Sequence, residues 1–405
     1  MTGTEPVLVI GGGATGVGVA RDLARRGVDV TLVDQGGLGG GTSGRSHGVL
    51  HSGARYAESD AVGAEECIEE NRILRSIAGG CIRDTGGLFV RLAGDDPSYF
   101  ERKLEACREV GIEAQRLEPA AVRRRVPDLT DAAEAVFEVP DAVVHPSRLV
   151  AANAADAAAH GATIHTHAPV ESLTVRENRV TSARIGGAVE GTIEPAYVVN
   201  AAGPWAGRVA SMAGLDVPMS PTRGVMIAVE YDRLGPVLNR CREPADGDIV
   251  VPHETEAVVG TTSVPTADPG DREHGDRERE VCIEECAAML PPVGEADVRR
   301  TWTGVRPLYS PDESQGERGI SRGFARLDHA DDGVGNAVSV VGGKLTTYRL
   351  MAASVADLVC ERLGVAAACS TATAPLPGND DPGVLEGYVE EFDIDAPTDG
   401  ASGRD

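Results

Sequence analysis

A chain of 405 residues is long enough for two domains, or for one large α/β domain carrying an insertion. Its formal charge of -25 excludes nucleic acid as a partner, because so acidic a surface is repelled by a phosphate backbone.

The first predicted element is a buried strand over Val7 to Ile10, followed at once by Gly11-Gly12-Gly13-Ala14-Thr15-Gly16 and by helical periodicity through Val17, Ala20, Leu23 and Ala24. Gly27 ends that helix, and Val28 to Val33 reads as a second buried strand finishing in Asp34. Each part has a mechanical reason in a dinucleotide site. Gly11 makes the tight turn, Gly13 lets backbone approach a pyrophosphate, and Gly16 lets helix pack on strand. Ala14 and Thr15 open the helix, whose N-terminus offers N–H groups and a positive dipole to phosphate. Asp34 is placed to accept hydrogen bonds from a ribose. A glycine-rich turn without a ligand is the competing reading, and the flanking strand, helix, strand and terminal acid argue against it.

The next stretch, 36–48, contains seven glycines, so it runs close to something. Thr42, Ser43, Ser46 and His47 stand within it, suited to a second phosphate or a flavin ring. His51-Ser52-Gly53-Ala54-Arg55-Tyr56 follows, a basic and aromatic pair fit for the place where a flavin meets an anionic substrate. An Ω-loop with an ordinary surface arginine is the plainer alternative. Helices are predicted at Glu65 to Ile77 and Ser98 to Val110, with a strand at Gly87 to Leu92 between them. An alanine-rich helix runs from Pro146 to His160, a strand follows at Thr163 to Thr166, and a hairpin turns at Glu177-Asn178. Tyr197 to Asn200 is a buried strand ending in small residues, so Ala202 and Gly203 let backbone pass a ligand at a strand's carboxyl end.

From there to residue 335 the pattern is rich in strands: Gly224 to Tyr231, Ile249 to Pro252, Ala257 to Ser263 and Ile320 to Leu327 are expected to form one antiparallel sheet of a second domain. The charged run Asp268 to Glu280 reads as solvated, with nothing to recommend it as a site. Arg306 stands beside glycine and proline in Thr303-Gly304-Val305-Arg306-Pro307-Leu308, and Arg322 follows in Ile320-Ser321-Arg322-Gly323. A final strand, Ala337 to Val341, leads into Gly342-Gly343-Lys344-Leu345-Thr346 and a helix to Leu363. The first domain therefore closes on a segment from near the chain's end. Lys344 is one of two lysines among the 38 basic residues, which makes that choice look chemical. Residues 375–405 carry nine acids against one arginine and read as an acidic linker or disordered tail.

An acidic, lysine-poor surface is what adaptation to high salt produces, so the charge is expected to report habitat, not substrate. Unfolding midpoints should then rise with KCl; a midpoint indifferent to salt would count against this. Eight cysteines lie scattered without a C-x-x-C pair, so no metal site is expected. Cys282 and Cys286, one helical turn apart, read as two positions on one packed face. The opening Met-Thr-Gly-Thr-Glu runs into the first strand and no apolar run could span a bilayer, so reduced thiols and a cytoplasmic location are expected.

Four ordered blocks carry a resemblance: GGGATGVGVARD over Gly11 to Asp22, HGVLHSGARY over His47 to Tyr56, TGVRPL over Thr303 to Leu308 and GGKLTTYR over Gly342 to Arg349. Together they resemble the FAD-dependent glycerol-3-phosphate dehydrogenases, in detail the catalytic A subunits of the anaerobic type. The resemblance covers residues 5 to 378. It implies an α/β fold of the kind seen in D-amino-acid oxidase: a Rossmann-type FAD domain (1–80, 146–215 and 336–374) with an inserted, mainly antiparallel β substrate domain (81–145 and 216–335).

The resemblance also implies FAD held without a covalent link by Gly11, Gly13, Ala14, Thr15, Gly16, Asp34, Thr42, Ser43, Ser46, His47, Ala202, Gly203, Gly343, Lys344, Leu345 and Thr346. The implied reaction oxidises sn-glycerol 3-phosphate to dihydroxyacetone phosphate. Arg55, Tyr56, Arg306, Arg322 and Lys344 would bind substrate, and His51, Arg306 and Lys344 would be catalytic, with His51 as base. Electrons would leave for a quinone pool through partner subunits that attach the enzyme peripherally to the inner face of the cell membrane. Two other readings stay open: a same-fold oxidoreductase for an amino acid or 2-hydroxy acid, and a non-catalytic flavin relay. The A subunits continue past the Pro-Leu-Pro-Gly stretch into a cysteine-bearing region, and this chain stops near there, which leaves the electron exit route open.

Overall fold

The computed structural model describes residues 5–311 and 323–400. Val7–Ile10 lies centrally in a six-stranded sheet, flanked by Val30–Val33 on one side and Tyr197–Asn200 on the other. Thr163–His165 continues the sheet beyond the first neighbour and Ala337–Gly342 beyond the second, all in parallel register. The strands are apolar on both faces because both are covered, one by helices and the other by a small three-stranded sheet and the short helix Ala206–Ser211. Ala14–Arg25 packs between Pro146–Ala159 and Tyr348–Leu363 on one face. Ala14–Arg25 and Pro146–Ala159 are pinned by a buried ion pair, Arg21 Nε to Asp156 at 2.6 Å. Chain order reverses direction at Val7–Ile10, and such a switch point opens a crevice at the strands' carboxyl ends.

Phe324–Asp328 corrects one expectation. It joins this first sheet as an antiparallel edge on Ala337–Gly342, not the second domain's sheet. The short connection between the two makes that hairpin pairing the nearest one available. Another hairpin, Val170–Arg176 with Arg179–Ile185, turns at Glu177 and Asn178 with φ of 49° and 61°. That is the two-residue, positive-φ turn that matches strand twist.

The second sheet has nine strands among the described residues. Thr222–Val229 lies between Val298–Arg306 and Glu256–Gly260, all antiparallel. One parallel pair, Val237–Arg240 with Gly87–Leu92, joins the earlier excursion of the chain to the later one. Helix Asp276–Met289 covers one face, with Cys282 and Cys286 both fully buried in that core.

The stretch expected to be a linker or tail is docked over its described residues. Pro382–Glu391 is a helix, Leu385 is fully buried in the core beside the six-stranded sheet, and Ile394, Ala396 and Thr398 are buried beyond it. Its acids hid this, because the apolar residues that dock are too few for a helical stripe to show.

Candidate functional site

A cavity of about 580 Å³ opens at the switch point, between the two βα turns and under the second sheet. Of the expected cofactor residues, Gly11, Gly13, Ala14, Thr15, Asp34, Thr42, Ser43, Ser46, His47, Ala202, Gly203, Gly343, Lys344 and Leu345 line it. Gly16 and Thr346 stand behind. A Cβ on Gly16 would fall 1.8 Å from the Gly11 carbonyl oxygen, so Gly16 lets the helix start against the turn. Thr346 Oγ1 accepts the His51 backbone N–H at 3.0 Å.

The first turn is built to meet an anion. Gly13 caps the helix with no side-chain acceptor, and the first helical turn carries no acid. The Ala14 N–H instead donates to Ser43 Oγ at 2.9 Å, bringing that hydroxyl beside the helix N-terminus. Asp34 accepts from the N–H groups of Gly12 at 2.6 Å and Gly36 at 2.8 Å. Burial pushes its carboxyl upward and these two donors oppose that. The carboxylate thus holds the turn, and the residue also lines the cavity.

The far end of the cavity is cationic and aromatic. Lys344 Nζ lies 4.6 Å from the centre of the Tyr56 ring, and that ring meets His51 edge-on at 5.6 Å. His51 is buried and its main chain is fixed at both ends, the N–H by Thr346 and the carbonyl by Asn71 Nδ2 at 3.2 Å. Arg306 lines the cavity from the second sheet, and its Nη2 donates to the Thr262 carbonyl at 3.0 Å. Arg208 and Arg272 line it too, against the acids Asp34 and Asp395. A positive lining in a chain of charge -25 is a local inversion that suits a phosphorylated ligand.

Of the arginines expected to hold the substrate, Arg306 lines the cavity and Arg55 does not. Arg55 is absent from the lining; its guanidinium lies 3.6 Å from Asp248, whose side chain is 1% exposed. Burial pushes the Asp248 carboxyl up, and Arg55 is the leading charge opposing that. A buried carboxylate needs partners, and this one sits between Arg242, 2.9 Å away, and Arg55. Arg322 lies outside the described residues.

Other lining residues carry little or no signal in sequence. Arg272 comes from the charged run expected to be solvated and sits 6.0 Å over the Trp205 ring, its guanidinium lowered by burial and by Arg45. Nothing distinguishes that arginine from its charged neighbours in sequence. Trp205 carried a signal, being one of two tryptophans and standing in a run of small residues. Asp395 comes from the stretch expected to be a tail.

The FAD dependent oxidoreductase family model matches residues 6–358. The chain is 47% identical to the A1 subunit of the anaerobic glycerol-3-phosphate dehydrogenase of Haloferax volcanii, over 98% of this chain and 70% of that protein. It is 41% identical to the A subunit of the anaerobic enzyme of Escherichia coli, over 94% of this chain and 71% of that one. Among solved structures it is similar to the glycerol-3-phosphate dehydrogenase of Bacillus halodurans complexed with FAD. There the TM-score is 0.72 at 23% identity, covering 96% of this chain and 71% of that one.

Proposed function

The chain belongs to the FAD dependent oxidoreductases and, within them, to the A subunits of the anaerobic glycerol-3-phosphate dehydrogenases, and we propose that it oxidises sn-glycerol 3-phosphate to dihydroxyacetone phosphate. One observation carries the reading: a single cavity runs from an anion-ready helix N-terminus to the group Arg306, Lys344, Tyr56 and His51. The glycine cradle and the open helix cap at Gly13 fit FAD, which when bound supplies the hydride acceptor.

The chain's own residues then divide the remaining work. Arg306 offers a planar fork to the substrate phosphate, held in place by oxygens of Thr222, Thr261 and Thr262. Lys344, at the start of the second turn and in the cavity wall, would hold the cofactor and supply a positive charge to it or to the substrate oxygen. The Tyr56 ring confines its ammonium group from one side. His51 takes the proton from the C2 hydroxyl, and its main chain is anchored on both sides by Thr346 and Asn71.

Electrons leave through partner subunits toward a quinone pool, and those subunits hold the enzyme at the inner face of the membrane. The designation of the relatives as lettered subunits of one enzyme supports partners. No helix among the described residues is long and apolar enough to cross a membrane, which fits attachment through others.

The test is anaerobic: protein loaded with FAD is mixed with glycerol 3-phosphate, D-alanine or lactate and its visible absorbance followed. Bleaching by glycerol 3-phosphate is expected. Bleaching by D-alanine or lactate alone would move the substrate to an amino or hydroxy acid, and no bleaching by any would favour a non-catalytic relay.

A further inference from the structure

Seven glycines in 36–48 make the cofactor loop costly to order, since glycine loses the most backbone freedom on folding. The loop nevertheless forms one wall of the cavity, so something outside it must hold it. The docked segment 393–399 lies along its outer side. The Asp395 N–H donates to the Leu38 carbonyl at 2.9 Å, and the Asp395 carboxylate pairs with Arg45 at 3.2 Å. Thr398 is fully buried, with Oγ1 2.8 Å from the Gly44 carbonyl oxygen and 2.5 Å from that of Ser46. The approach is close enough that a Cβ on Gly44 would fall 2.4 Å from the Asp395 carbonyl oxygen. The segment is itself tied to both domains. Arg300 of the second sheet donates to the carbonyls of Pro397 and Thr398 at 2.9 and 3.0 Å, and Asp399 accepts from Ser147 of the first domain.

We infer that residues 393–399 are a positioning strap for the cofactor, with Thr398 as its positioning residue acting through Gly44 and Ser46. The strap fixes Thr42, Ser43, Ser46 and His47 in the cavity wall from behind, and it adds Asp395 to that wall. Seating the strap and binding FAD each require the same ordering of the loop, so each favours the other, and the coupling is reciprocal. This rests on the reading of the cavity as a FAD site.

The experiment titrates FAD into flavin-free protein, following flavin fluorescence, for the wild type, Thr398→Val and Thr398→Ser. Valine keeps the volume and removes the hydroxyl, while serine keeps the hydroxyl. The expected result is FAD affinity lowered about tenfold by valine, the scale of one buried hydrogen bond, and restored to within about twofold by serine. KM for glycerol 3-phosphate at saturating FAD should not change. In the wild type, FAD should also slow hydrogen exchange at the Asp395 amide about tenfold. Unchanged FAD affinity in the valine variant overturns the strap. So does an equal loss in both variants that tracks a lower melting temperature of the flavin-free protein, and so does exchange at Asp395 indifferent to FAD. A wild type that takes up no FAD overturns the site reading and the strap with it.

Discussion

Replacing Arg306 with alanine is expected to raise KM for glycerol 3-phosphate about a hundredfold, leave kcat within a few-fold and leave FAD bound. Hydrogen bonds to charged groups each contribute roughly 1.5–3 kcal/mol, and a fork supplies two of them. Each 1.4 kcal/mol is about tenfold in binding, so losing the pair costs roughly two orders of magnitude. Arg306 belongs to the strand Val298–Arg306 of the second sheet and to neither glycine turn, which is why cofactor binding should survive its loss. The contrast is His51→Asn, which should lower kcat and kcat/KM together by about 10²–10⁴, the range for a positioned general base. The two variants therefore separate substrate holding from proton removal. Steady-state kinetics with an artificial electron acceptor decides it. An unchanged KM would remove Arg306 from the substrate site, and an unchanged kcat in the His51 variant would take the base elsewhere.

Breaking the ion pair between Glu70 and Arg349 is expected to have the largest effect on stability, about 3–5 kcal/mol for either single alanine replacement. Both side chains are nearly sealed from water, at 3% and 8% exposure. Arg349 Nε donates to Glu70 Oε2 at 2.8 Å, and a second contact joins Nη2 to Oε1. Burial pushes the Glu70 carboxyl up and the guanidinium opposes it, so removing Arg349 strands a buried charge. The pair also joins helix Ala61–Ile77 to the start of helix Tyr348–Leu363, immediately after the turn that carries Lys344. Denaturant unfolding of both single variants and of Glu70→Met with Arg349→Met tests this, the double variant recovering most of the loss because no charge is stranded. Single replacements that each cost less than about 1 kcal/mol would show that the pair is not holding the helices.

Much of the six-stranded sheet and its helices was legible in sequence because the signals are local. Four apolar residues before three glycines, a helix closed at Gly27 and an acid at position 34 are all contained in one stretch, and the backbone has few other ways to satisfy them. The same holds for the hairpin at Glu177-Asn178 and for the turn at Gly342-Gly343. Residues that line the cavity through these turns were therefore nameable from spacing alone.

Partners across the chain were not legible. Arg55 and Arg306 look alike in sequence, each an arginine beside glycines and an aromatic or proline, yet the fold sets Arg55 beside Asp248 and Arg306 in the cavity wall. Arg272 and Asp395 sat in runs that read as solvent-facing because composition averages over a stretch, whereas a cavity selects single side chains. The strand Phe324–Asp328 was recognisable as a strand, but which sheet accepts it depends on where an edge is open. Sequence by itself determined the elements and the chemistry each turn could offer, because those depend on neighbours in the chain. Tertiary structure alone decided which charges are paired, which face the ligand and what holds the glycine loop, because burial sets the cost of every unpaired group and burial exists only once the chain has folded.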